Sequence, residues 1–107
     1  MIENYKVITL CGSTKFKEEF LRVQKELTLK GNIVLSNSLF GHSGDIEAWE
    51  EEVNKMLFDM HLRKIDISDE IFVINVDGYI GDSTRKEIEY AKKNGKKVSY
   101  LVNWEFT

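Results

Sequence analysis

The sequence has no proline and a single cysteine, and its 107 residues contain no apolar run approaching the ~20 that a membrane-spanning helix needs. One cysteine cannot close an internal disulfide, which suits a reducing compartment. Positive charge is also scarce, since 15 Lys and Arg against 18 Asp and Glu leave a formal net charge of −3. Such a chain is poorly matched to a nucleic-acid polymer, because affinity for a phosphate backbone comes mostly from clustered cations that displace counterions. The opening residues, Met1 to Lys6, carry charge too early and too often for a secretory signal. The expectation is a soluble, cytoplasmic protein with neither a membrane nor a nucleic-acid polymer as partner.

What is present is ordinary for a folded domain. With 42% hydrophobic and 31% charged residues the chain is neither disordered nor fibrous in composition. Its length suits one domain over residues 1–107. A domain of this size buries roughly 65% of its unfolded surface, enough for one sheet covered by helices but not for a deep private cavity. A sizeable pocket therefore calls for a second copy of the chain, so a homodimer or higher homo-oligomer is expected.

Apolar patterning lays out the elements. Tyr5 to Cys11 is β-branched and apolar and stops at Gly12-Ser13-Thr14, a strand followed by a turn and a helix cap. From Lys15, the residues Phe16, Phe20, Val23 and Leu27 recur at helical spacing, widened by Leu21, until Lys30-Gly31 ends the helix. Asn32 to Ser36 reads as a short buried strand, followed by a loop to Gly44. A long helix runs from Asp45 to about Ile65, with Ile46, Trp49, Val53, Met56, Leu57 and Met60 on one face. Glu70 to Val76 is apolar at consecutive positions, as in a strand covered on both sides. A loop over Asp77 to Asp82, a helix from Ser83 to Asn94 and a strand from Lys97 to Val102 complete the chain. The order βαβαβαβ predicts an α/β fold, a three-layer flavodoxin- or Rossmann-like parallel sheet of about four strands in the order 2-1-3-4, with helices on both faces.

In such sheets ligands bind at the carboxyl ends of the strands beside the switch in strand order. Two loops fall there. Gly12-Ser13-Thr14 offers backbone N–H groups and hydroxyls to an anion such as phosphate, or serves only as turn and cap. It matches neither of the common Gly-rich nucleotide loops. The second loop, Gly78 to Thr84, leads into Glu87. Thr84 and Glu87 have the spacing of a capping box, which would turn the Glu87 carboxylate back onto the helix. The other reading makes Glu87 a carboxylate nucleophile at the crevice, held ionised by the helix dipole and nearby N–H donors.

Cys11-Gly12-Ser13-Thr14, the run from Ser68 to Thr84 and the run from Lys86 to Val98 together resemble the nucleoside 2-deoxyribosyltransferase family, with its related deoxynucleoside monophosphate N-glycosidases and small relatives. The likeness covers most of the chain. It implies that Glu87 attacks the anomeric carbon of a deoxyribose, that the base leaves, and that water or a second base resolves the glycosyl ester, the retaining logic of glycoside chemistry. It places Gly12, Ser13 and Ser83 at the sugar or a 5′-phosphate and Asp82 near the base or sugar; Thr14, Gly81 and Tyr79, in the same two loops, are further candidate substrate-binding residues. The family's aspartate proton donor falls on His61 and its strand-one tyrosine on Thr9. His61, titrating near neutrality, then supplies the proton. No cofactor is implied. The competing function is a non-catalytic nucleotide-binding or regulatory module in which Glu87 only caps its helix.

The remaining candidates have plainer readings beside the chemical ones. No His and Cys stand at metal-ligand spacing, so no metal is expected. Cys11 reads as a small buried residue, since no base lies beside it in sequence. His61 packs at the edge of its helix stripe or acts as the proton source. His42 reads as a solvated loop residue. Tyr79 stacks on a base or packs over the sheet edge. Lys92, Lys93, Lys96 and Lys97 complement a helix C-terminus, and Glu50 to Glu52 form a solvated face. Trp49, Met56 and Met60 are core, or the seam of a dimer.

Overall fold

The computed structural model describes residues 4–37 and 51–102. The expectations for His42, for Trp49 and for the helix start at Asp45 lie outside those residues. Four strands, β1 (Val7–Gly12), β2 (Ile33–Leu35), β3 (Glu70–Ile74) and β4 (Lys97–Tyr100), form one parallel sheet in the order β2-β1-β3-β4. The helices are α1 (Lys17–Leu29), α2 (Glu51–Asp66) and α3 (Asp82–Lys93), with short 3₁₀ turns at Thr14–Phe16 and Val76–Gly78. No helix among the described residues is long and apolar enough to cross a membrane.

Side-chain alternation along the strands builds the two apolar layers. Leu10 and Ile74 point to one face and pack with Phe20 and Val23 of α1. Cys11, Ile71 and Val73 point to the other, against Ile65 of α2 and Ile88 and Ala91 of α3. The central strands β1 and β3 are thus covered on both sides, which is why they read as unbroken apolar runs.

Several boundaries move from their sequence positions. β3 stops at Ile74 because the buried side chain of Asn75 takes over the pairing: it accepts from Val102 N–H (2.8 Å) and donates to Val102 C=O (3.0 Å). The chain then turns through Asp77 and Gly78, both at positive φ. Leu21, Met56 and Met60 are exposed, against the expectation that they are core. The inward line of α2 runs through half-buried Leu57 and buried His61 and Ile65, and Met56 and Met60 lie about 100° around the helix from it.

Candidate active site

Strands β1 and β3 are neighbours whose connections leave toward opposite edges, so their carboxyl ends open a crevice. Gly12 ends β1 with φ +151°, and a Cβ there would lie 2.8 Å from the carbonyl oxygen of Ile74 and 3.1 Å from its Cβ. Only glycine lets the chain leave the sheet this close to β3. Beyond it, Ser13 Oγ accepts from the Lys15 N–H at 3.3 Å, and Asn37 Nδ2 donates to the Gly12 carbonyl at 2.8 Å. Ser13 thus caps the 3₁₀ turn, and Asn37 fixes the turn's height.

The crevice is a cleft of about 560 Å³. The glycine-serine turn (Gly12, Ser13, Thr14) forms one wall, and Tyr79, Gly81, Asp82 and Ser83 form the facing one. His61 and Glu87 lie at the floor. All nine residues singled out from the sequence therefore border one cleft. Sequence reading missed the α2 wall, Asn54, Leu57, Phe58, Met60 and Lys64, together with Asn37. The helix period of α2 held the signal, since Leu57, His61 and Lys64 lie on one face. Asp82 is exposed and paired with Arg85 (3.3 Å). Tyr79 meets Phe16 edge to face, and Lys15 Nζ stands 3.8 Å over its ring. Thr9 is not in the cleft: its hydroxyl bonds Ser68 Oγ and the Lys64 carbonyl behind β1.

The capping box does not form. Helix α3 begins at Asp82 after Gly81, so Thr84 already sits inside the first turn, and the N-cap residue, Gly81, has no side chain to cap the helix. Glu87 instead points inward to two groups that sequence separation hides. His61 Nε2 lies 3.6 Å from Glu87 Oε1 and 3.4 Å from Cys11 Sγ. All three residues are buried. Glu87 Oε1 and His61 Nδ1 have no hydrogen-bond partner among the described residues.

Burial sets the charge states here, and it reverses two expectations. Glu87 was expected to be ionised by the dipole and N–H donors; desolvation pushes it up to about 7, only partly offset by the Cys11 thiol. His61 was expected to titrate near neutrality. Desolvation, aided by the Lys64 ammonium, lowers it to about 4, so the imidazole is neutral at physiological pH. Cys11 lies well above the usual thiol range, from burial and then from the Glu87 carboxylate, and so is a protonated thiol rather than a nucleophile. His61, 50 positions away in sequence, is nevertheless in contact with Cys11 in space.

Outside the cleft, a second cluster joins the same two helices. Tyr90 of α3 donates to Asp66 of α2 (2.6 Å), Arg63 reaches both Asp66 (3.0 Å) and the Tyr90 hydroxyl (3.3 Å), and Lys96 donates to the Asp66 carbonyl (3.0 Å). Asp59 pairs with Arg63 at 3.8 Å on the exposed side of α2. Neither Asp59 nor Asp66 lines the cleft.

No protein-family model matches the chain, and no curated protein matches it.

Proposed function

We propose that the cleft binds a nucleoside or nucleotide and that the protein cleaves or transfers its N-glycosidic bond, with Glu87 as nucleophile. One observation carries this reading: Glu87 presents to the floor of a cleft a buried carboxylate oxygen that has no hydrogen-bond partner among the described residues, and is not used as a helix cap. The resemblance in Cys11–Thr14 and Ser68–Val98 supplies the substrate class. In the first step a Glu87 oxygen bonds to the anomeric carbon as the carbon–nitrogen bond breaks, and the base takes a proton from solvent at the open side of the cleft. In the second, water replaces the ester bond and gives its proton to neutral His61, or a second base takes the sugar. Burial makes the Glu87 anion a poorly solvated and hence reactive nucleophile, at the cost of raising the pH at which it forms. Ser13 and Ser83 hydroxyls face the sugar or its 5′-phosphate, and Tyr79 and Asp82 border the base.

The cleft is open, and Met60 stands exposed on its α2 rim. A second copy of the chain, seated there, completes the enclosure in this reading.

Wild type and Glu87→Ala, incubated with a panel of deoxynucleosides and their monophosphates and followed by chromatography of free base, provide the test. Wild type is expected to release base, and the variant to lose activity by on the order of 10⁴–10⁶-fold, as when other covalent nucleophiles are deleted. Equal rates remove Glu87 from the mechanism. Absence of release from every substrate rejects the catalytic reading.

A further inference from the structure

We propose that Cys11, His61 and Glu87 form a binding site for a single divalent transition-metal ion of the zinc class, entered through the cleft. The three come from three elements, β1, α2 and α3, and their ligand atoms lie within 4.8 Å of one another, all on buried residues. Two of the three separations match those a tetrahedral ion imposes, and the third, between Cys11 Sγ and the Glu87 carboxylate, lies within 4.8 Å. Bonds of ~2.3 Å to sulfur and ~2.0–2.1 Å to nitrogen or oxygen, at tetrahedral angles, put sulfur and nitrogen ~3.5 Å apart and nitrogen and oxygen ~3.3 Å apart. Here Cys11 Sγ to His61 Nε2 is 3.4 Å and His61 Nε2 to Glu87 Oε1 is 3.6 Å. One imidazole nitrogen thus faces both the sulfur and the carboxylate.

The second observation is that Glu87 Oε1 has no hydrogen-bond partner among the described residues. A buried carboxylate oxygen of this kind normally has a donor, and its absence is costly. An ion at the centre of the triad satisfies it. The donor set, one thiolate, one imidazole and one carboxylate, favours zinc or cobalt over magnesium or calcium, which prefer oxygen alone. Three protein ligands leave a fourth position toward the cleft, as in open rather than closed zinc sites. On binding, the ion displaces the Cys11 proton to water, and the sulfur–hydrogen bond is replaced by a sulfur–metal bond.

The site does not depend on the glycosidic reading, but it has a consequence for it. A metal on Glu87 draws electron density from the carboxylate and sits at the cleft floor where the anomeric carbon must approach, so base release is expected to fall when the site is loaded. The metal-free chain is the more active form.

Cobalt(II) serves as the probe, titrated in the absence of any nucleoside into chain freed of metal with a chelator, with zinc(II) added afterwards as competitor. The expected result is one cobalt per chain, a thiolate-to-cobalt charge-transfer absorption, and its loss as zinc displaces it. The chain has one cysteine, so that band assigns Cys11 without any substitution. Cys11→Ser is expected to abolish the band. Glu87→Gln and His61→Ala are expected to weaken binding by more than the ~10–100-fold that loss of an outer-shell partner costs. Asp59→Asn is expected to leave it unchanged, and far-ultraviolet circular dichroism reports whether each variant is folded. Cobalt bound without a thiolate band overturns the proposal, as does one ion per two chains or no binding at all. Base release measured separately with and without zinc keeps the two readings apart: binding without any base release sustains the site and sinks only the glycosidic function.

Discussion

Replacing Glu87 by Gln isolates the cost of burying an acid at the floor of the cleft. The carboxyl is about 8% exposed and its pKa rises from 4.5 to about 7 in the folded chain. At about 1.4 kcal/mol per pKa unit, this amounts to about 3 kcal/mol of folding free energy between the protonated and ionised forms. The sign follows from proton uptake. Between pH 4.5 and 7 the folded chain holds a proton that the unfolded chain has released, so stability is fully present below 4.5 and declines as pH rises through about 7. Glutamine matches the shape of the protonated acid and does not titrate. The variant is therefore expected to equal wild type near pH 4.5 and to exceed it by up to about 3 kcal/mol above pH 8, where burial costs the ionised carboxylate most. His61, lowered from 6.5 to about 4, titrates in the opposite sense, and its contribution is lost as pH falls from 6.5 toward 4. It is present in both proteins and drops out of the difference. Urea unfolding at half-unit pH steps, with a chelator to keep metal away, measures that difference directly. A difference that is flat with pH, or a variant less stable at pH 8, would refute the desolvated carboxyl.

Two further expectations concern the frame of the site. Gly12→Ala must place a methyl 2.8 Å from the Ile74 carbonyl at a φ that L-residues rarely adopt, and should cost about 2–4 kcal/mol in denaturant unfolding. Gly31→Ala, at positive φ but with open space around its Cβ, should cost clearly less; equal losses would mean that the contact with β3 is irrelevant. Asn75→Ala removes both hydrogen bonds to Val102 and should lower stability by about 1–3 kcal/mol, or the melting temperature by roughly 5–15 °C. A melting temperature unchanged within a degree contradicts the role given to that side chain.

The sheet was legible because its two central strands are covered on both faces, and Thr9 to Cys11 and Ile71 to Ile74 say so in consecutive apolar or β-branched residues. The strand order 2-1-3-4, the commonest for so short a βαβαβαβ chain, is the order observed. The cleft walls were legible for a related reason: the switch point tells which loops meet, whatever their side chains. The floor was not. Whether Glu87 caps its helix or faces inward depends on α3 starting at Asp82, a shift of one or two residues that spacing does not resolve. The company of Cys11 was hidden more deeply, since α2 delivers His61 from 50 positions away and the distance is set by helix packing on the sheet. For Met56 and Met60 the core reading fails, because an apolar face one residue wider than the buried line looks the same in sequence, while their alternative reading as a dimer seam is untouched by exposure.

The Tyr90–Asp66–Arg63 cluster fastens α2 to α3 about one turn beyond His61 and three residues beyond Glu87. It works as a clamp behind a pair of jaws. The gap between imidazole and carboxylate is gauged by atoms that no occupant of the cleft touches. The two helices are thereby coupled as one jaw, and the facing one is the glycine-serine turn after β1, held by its pairing with β3, by the Ser13 cap and by the side-chain amide of Asn37.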